Sequence, residues 1–312
     1  MLSYLQDLTL RLAAGAARLD DSVRQTHAGW LALQQRADGG FAGREGESDP
    51  YYTAFALRGL WILDALTPQI GQSAAAFLKS RLDRREGIVD LISLIFGAAI
   101  CEMAVDAQVI GDDDDRFDTQ WADNVTALLE SLRTDDGGFA KSPEGRAGST
   151  YQTFLSVLCL ELLGRRPDQP ERVLQFLDSQ AHPEGGYLEI RAAKRAGVNP
   201  TAAAIGTLKT LGAMDHVDRS ATIEFLAEMQ SDEGGLTANT RIPFADLLSS
   251  CTGMITLVDL DAADAVDVAA VRRYAESMQA DGGGFTGFAL DHIADVEYTF
   301  YGLATLALTA PK

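Results

Sequence analysis

Asp136-Gly137-Gly138-Phe139 is a four-residue phrase that the chain repeats, as Asp38-Gly39-Gly40-Phe41, Glu184-Gly185-Gly186-Tyr187, Glu233-Gly234-Gly235-Leu236 and Gly282-Gly283-Gly284-Phe285. Counted between the first glycines of the pairs that directly precede the aromatic or Leu (Gly39, Gly137, Gly185, Gly234 and Gly283), the steps are 98, 48, 49 and 49 residues. The double step implies a degenerate copy near position 88, where Arg85-Glu86-Gly87-Ile88 stands. Six units of about 49 residues then account for nearly all 312 residues. A period of that length signals a repeat architecture.

Each unit reads the same way. Ahead of the glycines lies an amphipathic pattern with apolar residues at i, i+3, i+4 and i+7, as in Val125, Leu128, Leu129, Leu132 and in Val271, Tyr274, Ala275, Met278. In both sets the last residue stands five positions before the motif glycine, so the register is shared. The glycines are expected to supply the left-handed backbone that a helix exit needs. About ten residues later comes a helix that is apolar nearly all round, such as Thr53-Ala-Phe-Ala-Leu-Arg-Gly-Leu-Trp61 or Thr299-Phe-Tyr-Gly-Leu-Ala-Thr-Leu-Ala307. A helix with no polar face must be buried on all sides. Six half-buried helices alternating with six buried ones predict two concentric layers. An open array would leave inner helices bare at its ends, and neither terminal unit reads as a polar cap. The expected fold is therefore all-α: an α6/α6 toroid in one domain, residues 1–312, with an extra N-terminal helix over about 2–18 packed at the ring seam.

Composition narrows the partners. The net charge of −19 disfavours nucleic acid and anionic lipid. No apolar run is expected to approach the roughly 18–20 residues that span a bilayer, and the N-terminal stretch reads as an amphipathic helix rather than a signal peptide. Cys101, Cys159 and Cys251 are odd in number and lie in apolar runs, which fits free thiols in a reducing cytoplasm. The topology sets all the Gly-Gly loops at one rim, where the N-termini of the buried helices favour an anionic group. Phe55, Phe154, Phe300 and Tyr301 are expected to wall the cavity below it.

The DGGF-type repeats followed by T-(A/F)-F-x-L-x-x-L helices resemble the β subunits of protein prenyltransferases along essentially the whole chain, and more distantly the squalene and terpene cyclases. The closest look is to the Rab geranylgeranyltransferase β subunit. The resemblance implies a cavity for a prenyl diphosphate, a helical-repeat α-subunit partner and, in working enzymes, a zinc that activates a cysteine thiolate. It places an Asp-x-Cys at the start of the fifth inner helix and a His at the start of the sixth as zinc ligands. Here Asp246 falls on the Asp, Leu248 takes the place of the Cys, and Tyr298 that of the His; Cys251, five residues past Asp246, is a poor substitute. With one of three ligands kept, no catalytic zinc is expected. The resemblance also sets cations in the loops before the fourth and fifth inner helices. Arg191, Lys194, Arg195 and Arg241 occupy those loops here and are expected to clamp phosphate oxygens, while Gly197-Val-Asn199 stands near a family His that is absent.

A second reading uses the same rim. Type II terpene cyclases protonate an alkene with the Asp of a D-x-D-D motif at an inner-helix start. Asp295-Val-Glu297-Tyr298 offers acid, gap, acid there, and a buried carboxyl could hold the proton. The simpler reading makes Asp295 a helix cap and Glu297 a first-turn acid. The run 112–115 also spells D-x-D-D, but it falls at the opposite rim, between an inner helix at about 88–104 and an outer one at about 118–132. It reads as a solvated cap, and a magnesium site there has no support in the sequence. Three functions follow: a protein that binds farnesyl or geranylgeranyl diphosphate and transfers the chain, if at all, without zinc–thiolate chemistry; an acid-initiated terpene cyclase using Asp295 or Glu297; and a non-catalytic scaffold for protein interaction.

Overall fold

The computed structural model describes residues 2–82, 87–111 and 119–311. Arg85 and Glu86 of the degenerate motif and the acidic run 112–115 lie outside the described residues. Within them run α1 (Tyr4–Ala16), α2 (Asp21–Leu33), α3 (Pro50–Ile62), α4 (Pro68–Lys79), α5 (Ile88–Val105), α6 (Thr119–Ser131), α7 (Thr150–Leu162), α8 (Pro170–Gln180), α9 (Val198–Leu211), α10 (Arg219–Glu228), α11 (Leu247–Asp259), α12 (Val268–Ser277) and α13 (Val296–Leu308). Among the described residues β-structure is limited to isolated antiparallel bridges. After α1, the even-numbered helices are the amphipathic ones and the odd-numbered the apolar ones. Thus α2 buries His27 and Leu31, whereas α3 buries Thr53 through Leu57 without a break.

The chain's contacts group into two compact units. One comprises residues 1–5 and 124–275. In it the apolar α7, α9 and α11 lie side by side, with α9 between the other two, and the amphipathic α8 packs on both α7 and α9. The other comprises residues 6–123 and 276–312. Here α3 packs between α5 and α13, and α4 lies on α3 and α5. The C-terminal helix therefore returns to the first apolar helix of the chain. The N-terminal helix packs at this junction, as expected: a Cβ on Gly15 would stand 2.3 Å from the Ala307 carbonyl oxygen of α13.

One expectation is corrected. The helix α5 has 18 residues and a mean hydropathy of 2.1, long and apolar enough to cross a membrane by those measures. Asp90 and Glu102 near its ends interrupt the run in the sequence. In the structure 67% of it is buried, against α3 and α4. The three cysteines are buried and form no disulfide, and burial pushes the Cys101 thiol up to about 12.

The Gly-Gly motif has a different purpose from the one expected. The helix before it ends several residues earlier, and α2 is closed by Gln34 in ordinary right-handed geometry. The first glycine then turns left-handed in a separate tight turn, with φ of 88° at Gly39, 94° at Gly137, 86° at Gly185, 97° at Gly234 and 96° at Gly283. At each it meets the backbone of the next amphipathic helix. A Cβ would lie 2.2 Å from the Ser73 carbonyl oxygen at Gly39, 2.3 Å from that of Arg172 at Gly137, 2.3 Å from that of Ala221 at Gly185 and 2.6 Å from that of Ala270 at Gly234. The last motif wraps to the first amphipathic helix: Gly283 lies against Thr26 and Trp30 of α2. The second glycine seats on an aromatic ring one helical turn further along, namely Phe77, Phe176, Phe225, Tyr274 and, for the last motif, Trp30. The degenerate unit has lost both halves of this contact in its sequence. It keeps a single glycine before Ile88, and residues 124–128 of α6, Asn-Val-Thr-Ala-Leu, carry no aromatic.

The residue after the glycines pins the following apolar helix. Its N–H donates to a hydroxyl four residues inside the helix cap: Phe41 to Thr53 at 2.9 Å, Phe139 to Thr153 at 2.9 Å, Tyr187 to Thr201 at 2.9 Å, Leu236 to Ser250 at 2.9 Å and Phe285 to Thr299 at 3.0 Å. Its carbonyl accepts the N–H of the cap residue, as between Phe285 and Asp295 at 3.3 Å. Buried backbone groups that lie outside regular structure are satisfied in this way.

Gly39→Ala should therefore destabilise the protein by about 3 kcal/mol or more, strain and clash together. Gly46 has φ of 93° with nothing within 4 Å of where a Cβ would stand, so Gly46→Ala should cost only about 1 kcal/mol. Urea denaturation of both variants checks this. Equal losses would mean that the carbonyl seat does not hold the repeat.

Candidate functional site

The rim acids of the second unit begin as helix caps. Asp295 precedes α13 and accepts from the Tyr298 N–H at 2.8 Å, a contact that contributes about 1 kcal/mol. Asp49 does the same for α3 through Tyr52 at 2.8 Å. Asp295 is also tied to the loop of the first repeat, where Arg44 Nε donates to its Oδ2 at 2.9 Å. The rest of the Arg44 guanidinium forks onto both oxygens of Asp291. Burial raises the Asp295 pKa, against the pull of the Tyr298 amide and Arg44. Burial works on Asp291 too, but Arg44 and the amides of Gly287 and Ile293 bring it below the ordinary carboxylate range. Two carboxylates on one guanidinium are thus driven apart in acidity by their surroundings.

Glu297, in the first turn of α13, accepts from the Tyr51 hydroxyl at 2.7 Å. Its pKa is raised, chiefly by burial, with the Tyr51 bond opposing. The ring of Tyr298 rests on Gly287, where a Cβ would be 2.7 Å away. Tyr52 rests on Gly43 at 2.6 Å in the equivalent position of the first repeat. Phe55, Phe300 and Tyr301 gather: Phe55 stands 5.4 Å from Phe300 and 5.3 Å from Tyr301, with Tyr51 4.9 Å from Phe55. Sequence reasoning missed what sits on this cluster. Arg58 lays its guanidinium 3.9 Å over the Phe300 ring, with Phe96 at 5.3 Å and Phe55 at 5.6 Å. The signal was present, as a lone charge in the otherwise apolar stretch Thr53–Trp61. Arg44, Asp291 and Tyr51 were missed as well; their roles depend on partners some 246 to 251 positions away.

The other named residues belong to the first unit. Arg191, Lys194, Arg195 and Arg241 are all exposed on the loops ahead of α9 and α11. These loops touch: the Val198 N–H donates to Ala238 O at 3.0 Å, and Arg195 donates to Thr240 Oγ1 at 2.8 Å, beside Arg241. Among the described residues no carboxylate forms an ion pair with any of the four side chains. Burial raises the Asp136 pKa, but donation from Thr134, Gly148 and Gly138, with a smaller pull from nearby Arg191, brings it below the ordinary value. Phe154 is half-buried on α7, its ring wedged where α9 has Gly206: a Cβ there would be 2.6 Å away. Asp246 caps α11, accepting from the Ser249 N–H at 2.7 Å and Oγ–H at 2.8 Å, and burial raises its pKa against those bonds.

The donors at the three zinc positions do not fit that metal. Asp246 has both oxygens engaged by Ser249, Leu248 offers no donor, and Tyr298 brings a phenol packed on its own loop. Cys251 is fully buried in α11. Zinc in such sites takes Cys, His and carboxylate ligands, about four in all. Among the described residues no three His, Cys, Asp or Glu side chains gather as a metal site.

Known proteins share this architecture. The family model of the prenyltransferase alpha-alpha toroid domain matches residues 5–167 and 151–312. No curated protein sequence matches the chain. Among solved structures, the chain is similar to Candida albicans protein geranylgeranyltransferase-I complexed with GGPP, at 16% identity over 92% of this chain and 91% of that one, with a TM-score of 0.69. It is similar to a variant of the type II terpene cyclase MstE from Scytonema in complex with geranylgeranyl dihydroxybenzoate, at 14% identity over 98% and 99% and a TM-score of 0.64. A protein from Actinoplanes matches at 15% identity over 93% and 98%, with a TM-score of 0.61. The chain belongs to the prenyltransferase alpha-alpha toroid domain family, and its fold class is the all-α toroid that the repeat predicts.

Proposed function

We propose that this chain binds an isoprenoid diphosphate, farnesyl or geranylgeranyl, in the central cavity of its family fold. Arg191, Lys194, Arg195 and Arg241 hold the phosphate oxygens, and any transfer of the prenyl group proceeds without a zinc-bound thiolate. The observation that carries this reading is the unpaired basic rim: four exposed cations on two touching loops of a chain with net charge −19. The N-termini of α9 and α11 follow directly behind those loops and add their positive ends. Guanidinium groups can take phosphate oxygens two at a time, which fixes the headgroup as well as attracting it. The similar geranylgeranyltransferase was solved with GGPP, which supports the same ligand class. The reading keeps a helical-repeat α subunit as the expected partner and the cytoplasm as the place of action.

A second reading, the acid-initiated cyclase, rests on Glu297, a carboxyl whose buried setting holds the proton above its ordinary range. Arg58 weighs against it. Cyclisation develops positive charge on carbon, which aromatic faces stabilise. The faces of Phe300, Phe96 and Phe55 already carry a permanent guanidinium, and two unit positive charges about 5 Å apart repel by roughly 3 kcal/mol at an effective dielectric of 20.

Farnesyl or geranylgeranyl diphosphate should raise the melting temperature. Arg191→Ala combined with Arg241→Ala should remove most of that rise, each substitution weakening binding on the order of tenfold. Melting left unmoved by saturating diphosphate would overturn the reading. In the cyclase case, incubation with squalene or polyprenyl diphosphates should give cyclic products. Their rate should fall as pH climbs through the elevated pKa of Glu297, because only the protonated acid can donate, and Glu297→Gln should abolish them. Products unaffected by that substitution would remove Glu297 from the role.

A further inference from the structure

The loop ahead of α13 holds two large apolar side chains in water. Leu290 is 73% exposed and Ile293 58%. The repeat does not ask for them. Five residues past the final position of the motif, the loops of the other four motifs carry Gly46, Glu144, Ala192 and Arg241; here a large apolar residue, Leu290, takes that place. Nor is the loop loosely built. Asp291 stands between the two in the chain, with its side chain 8% exposed. Its N–H donates to Phe288 O at 2.9 Å. Its carboxylate accepts the Gly287 N–H at 3.0 Å, the Ile293 N–H at 3.3 Å and Arg44 Nη1–H at 3.0 Å. The turn is folded around this one carboxylate, so Leu290 and Ile293 are presented on a fixed backbone. Surface apolar residues are ordinary when scattered singly. Two on one braced turn form an anchor whose ordering cost is already met.

Their surroundings are acidic. Arg44 ties this loop to that of the first repeat. Over residues 41–49 and 285–295 the pair of loops carries one Lys or Arg, Arg44 itself, against Glu45, Glu47, Asp49, Asp291 and Asp295. Arg44 is already held by Asp291 and Asp295. Glu45 and Glu47 are exposed, and among the described residues neither forms an ion pair. The whole chain has the same sign, with 45 acids to 26 Lys and Arg. A net charge of −19 repels a second copy of the chain and the anionic leaflet of a membrane, and it attracts a basic segment from a distance. Glu45 and Glu47 then act at close range, within a Debye length of about 8 Å.

We propose that this loop pair is a docking surface for a basic segment of a partner protein. Leu290 and Ile293 seat against apolar side chains of that segment, and Glu45 and Glu47 meet its Lys or Arg residues. Burial of the two anchors supplies most of the affinity, while the acids set orientation and speed the encounter. The surface stands apart from the proposed diphosphate site, since Arg191, Lys194, Arg195 and Arg241 all lie on other loops.

The test measures binding of a synthetic amphipathic Lys/Leu helix to the full chain by fluorescence anisotropy, beside a Glu/Leu helix of the same length. The Lys/Leu peptide should bind and the Glu/Leu peptide should not. Leu290→Ser combined with Ile293→Ser leaves the net charge unchanged and should weaken binding on the order of tenfold. Glu45→Gln with Glu47→Gln should weaken it more than Glu224→Gln with Glu228→Gln, an exposed pair on α10 whose loss changes the net charge equally. Affinity that ignores the two serines, or that falls alike for both glutamine pairs, would reduce the attraction to bulk charge and overturn the proposal. It would also be overturned by binding to phosphatidylcholine vesicles, or by self-association of the chain, that the two serines abolish, because either gives the anchors a different occupant. Failure of the Lys/Leu peptide to bind the wild-type protein would overturn it outright.

Discussion

A missing Cβ governs this structure. At five motifs a left-handed glycine comes so close to the next amphipathic helix that a methyl group would fall within about 3 Å of its backbone or side chain, in four cases 2.2 to 2.6 Å from a carbonyl oxygen. Hydrophobic burial is forgiving about position, because greasy faces can slide. A carbonyl seat backed by an aromatic ring is not, since it fixes rotation and translation together. The last motif seats on the first amphipathic helix, so the C-terminal repeat is joined to the N-terminal one by the same contact that joins its predecessors. His27 completes that junction: its Nδ1 accepts from the Gly284 N–H at 3.0 Å, and its Nε2 meets Gln279 Oε1 at 3.0 Å. Burial lowers its pKa, in keeping with a neutral ring that both donates and accepts.

The same economy explains why the rim is hard to interpret. Asp49, Asp246 and Asp295 cap equivalent helices, and Tyr52 and Tyr298 rest on equivalent glycines. A residue at such a position serves the repeat before any chemistry. What distinguishes one repeat from another is its cross-loop partner. Asp295 meets a guanidinium and Asp246 a serine, so the two differ in their electrostatic surroundings although both are buried caps. The basic loops ahead of α9 and α11 meet each other through Arg195 and Thr240, and the exposed charges they carry are the basis of the functional proposal.

Arg58 and Tyr4 are residues that the repeat itself does not require. Arg58 places a fixed cation over the rings of Phe300, Phe96 and Phe55. Tyr4 is contributed by a segment preceding the first repeat and is held by Glu161, Lys209 and Asp259 from three different ones. Both are polar groups set in apolar surroundings, where a paired charge or hydroxyl is strongly oriented by its neighbours.

By itself the sequence determined the number of repeats, the alternation of half-buried and buried helices, the extra N-terminal helix and the fold class. These depend on periodicity and on glycine, which are local and recur five times over. It also sets Leu248 and Tyr298 at two positions where the family resemblance expects zinc ligands, because a ligand is read as a residue type at a position. Only the tertiary structure decided what the glycines are for, that the run from Ile88 to Val105 is mostly a buried helix, and which acids face a cation. The partners of Arg44, Tyr51 and Tyr4 lie 157 to 255 residues away. Contacts at such separations depend on how the repeats stack, and no short-range pattern in the chain encodes them.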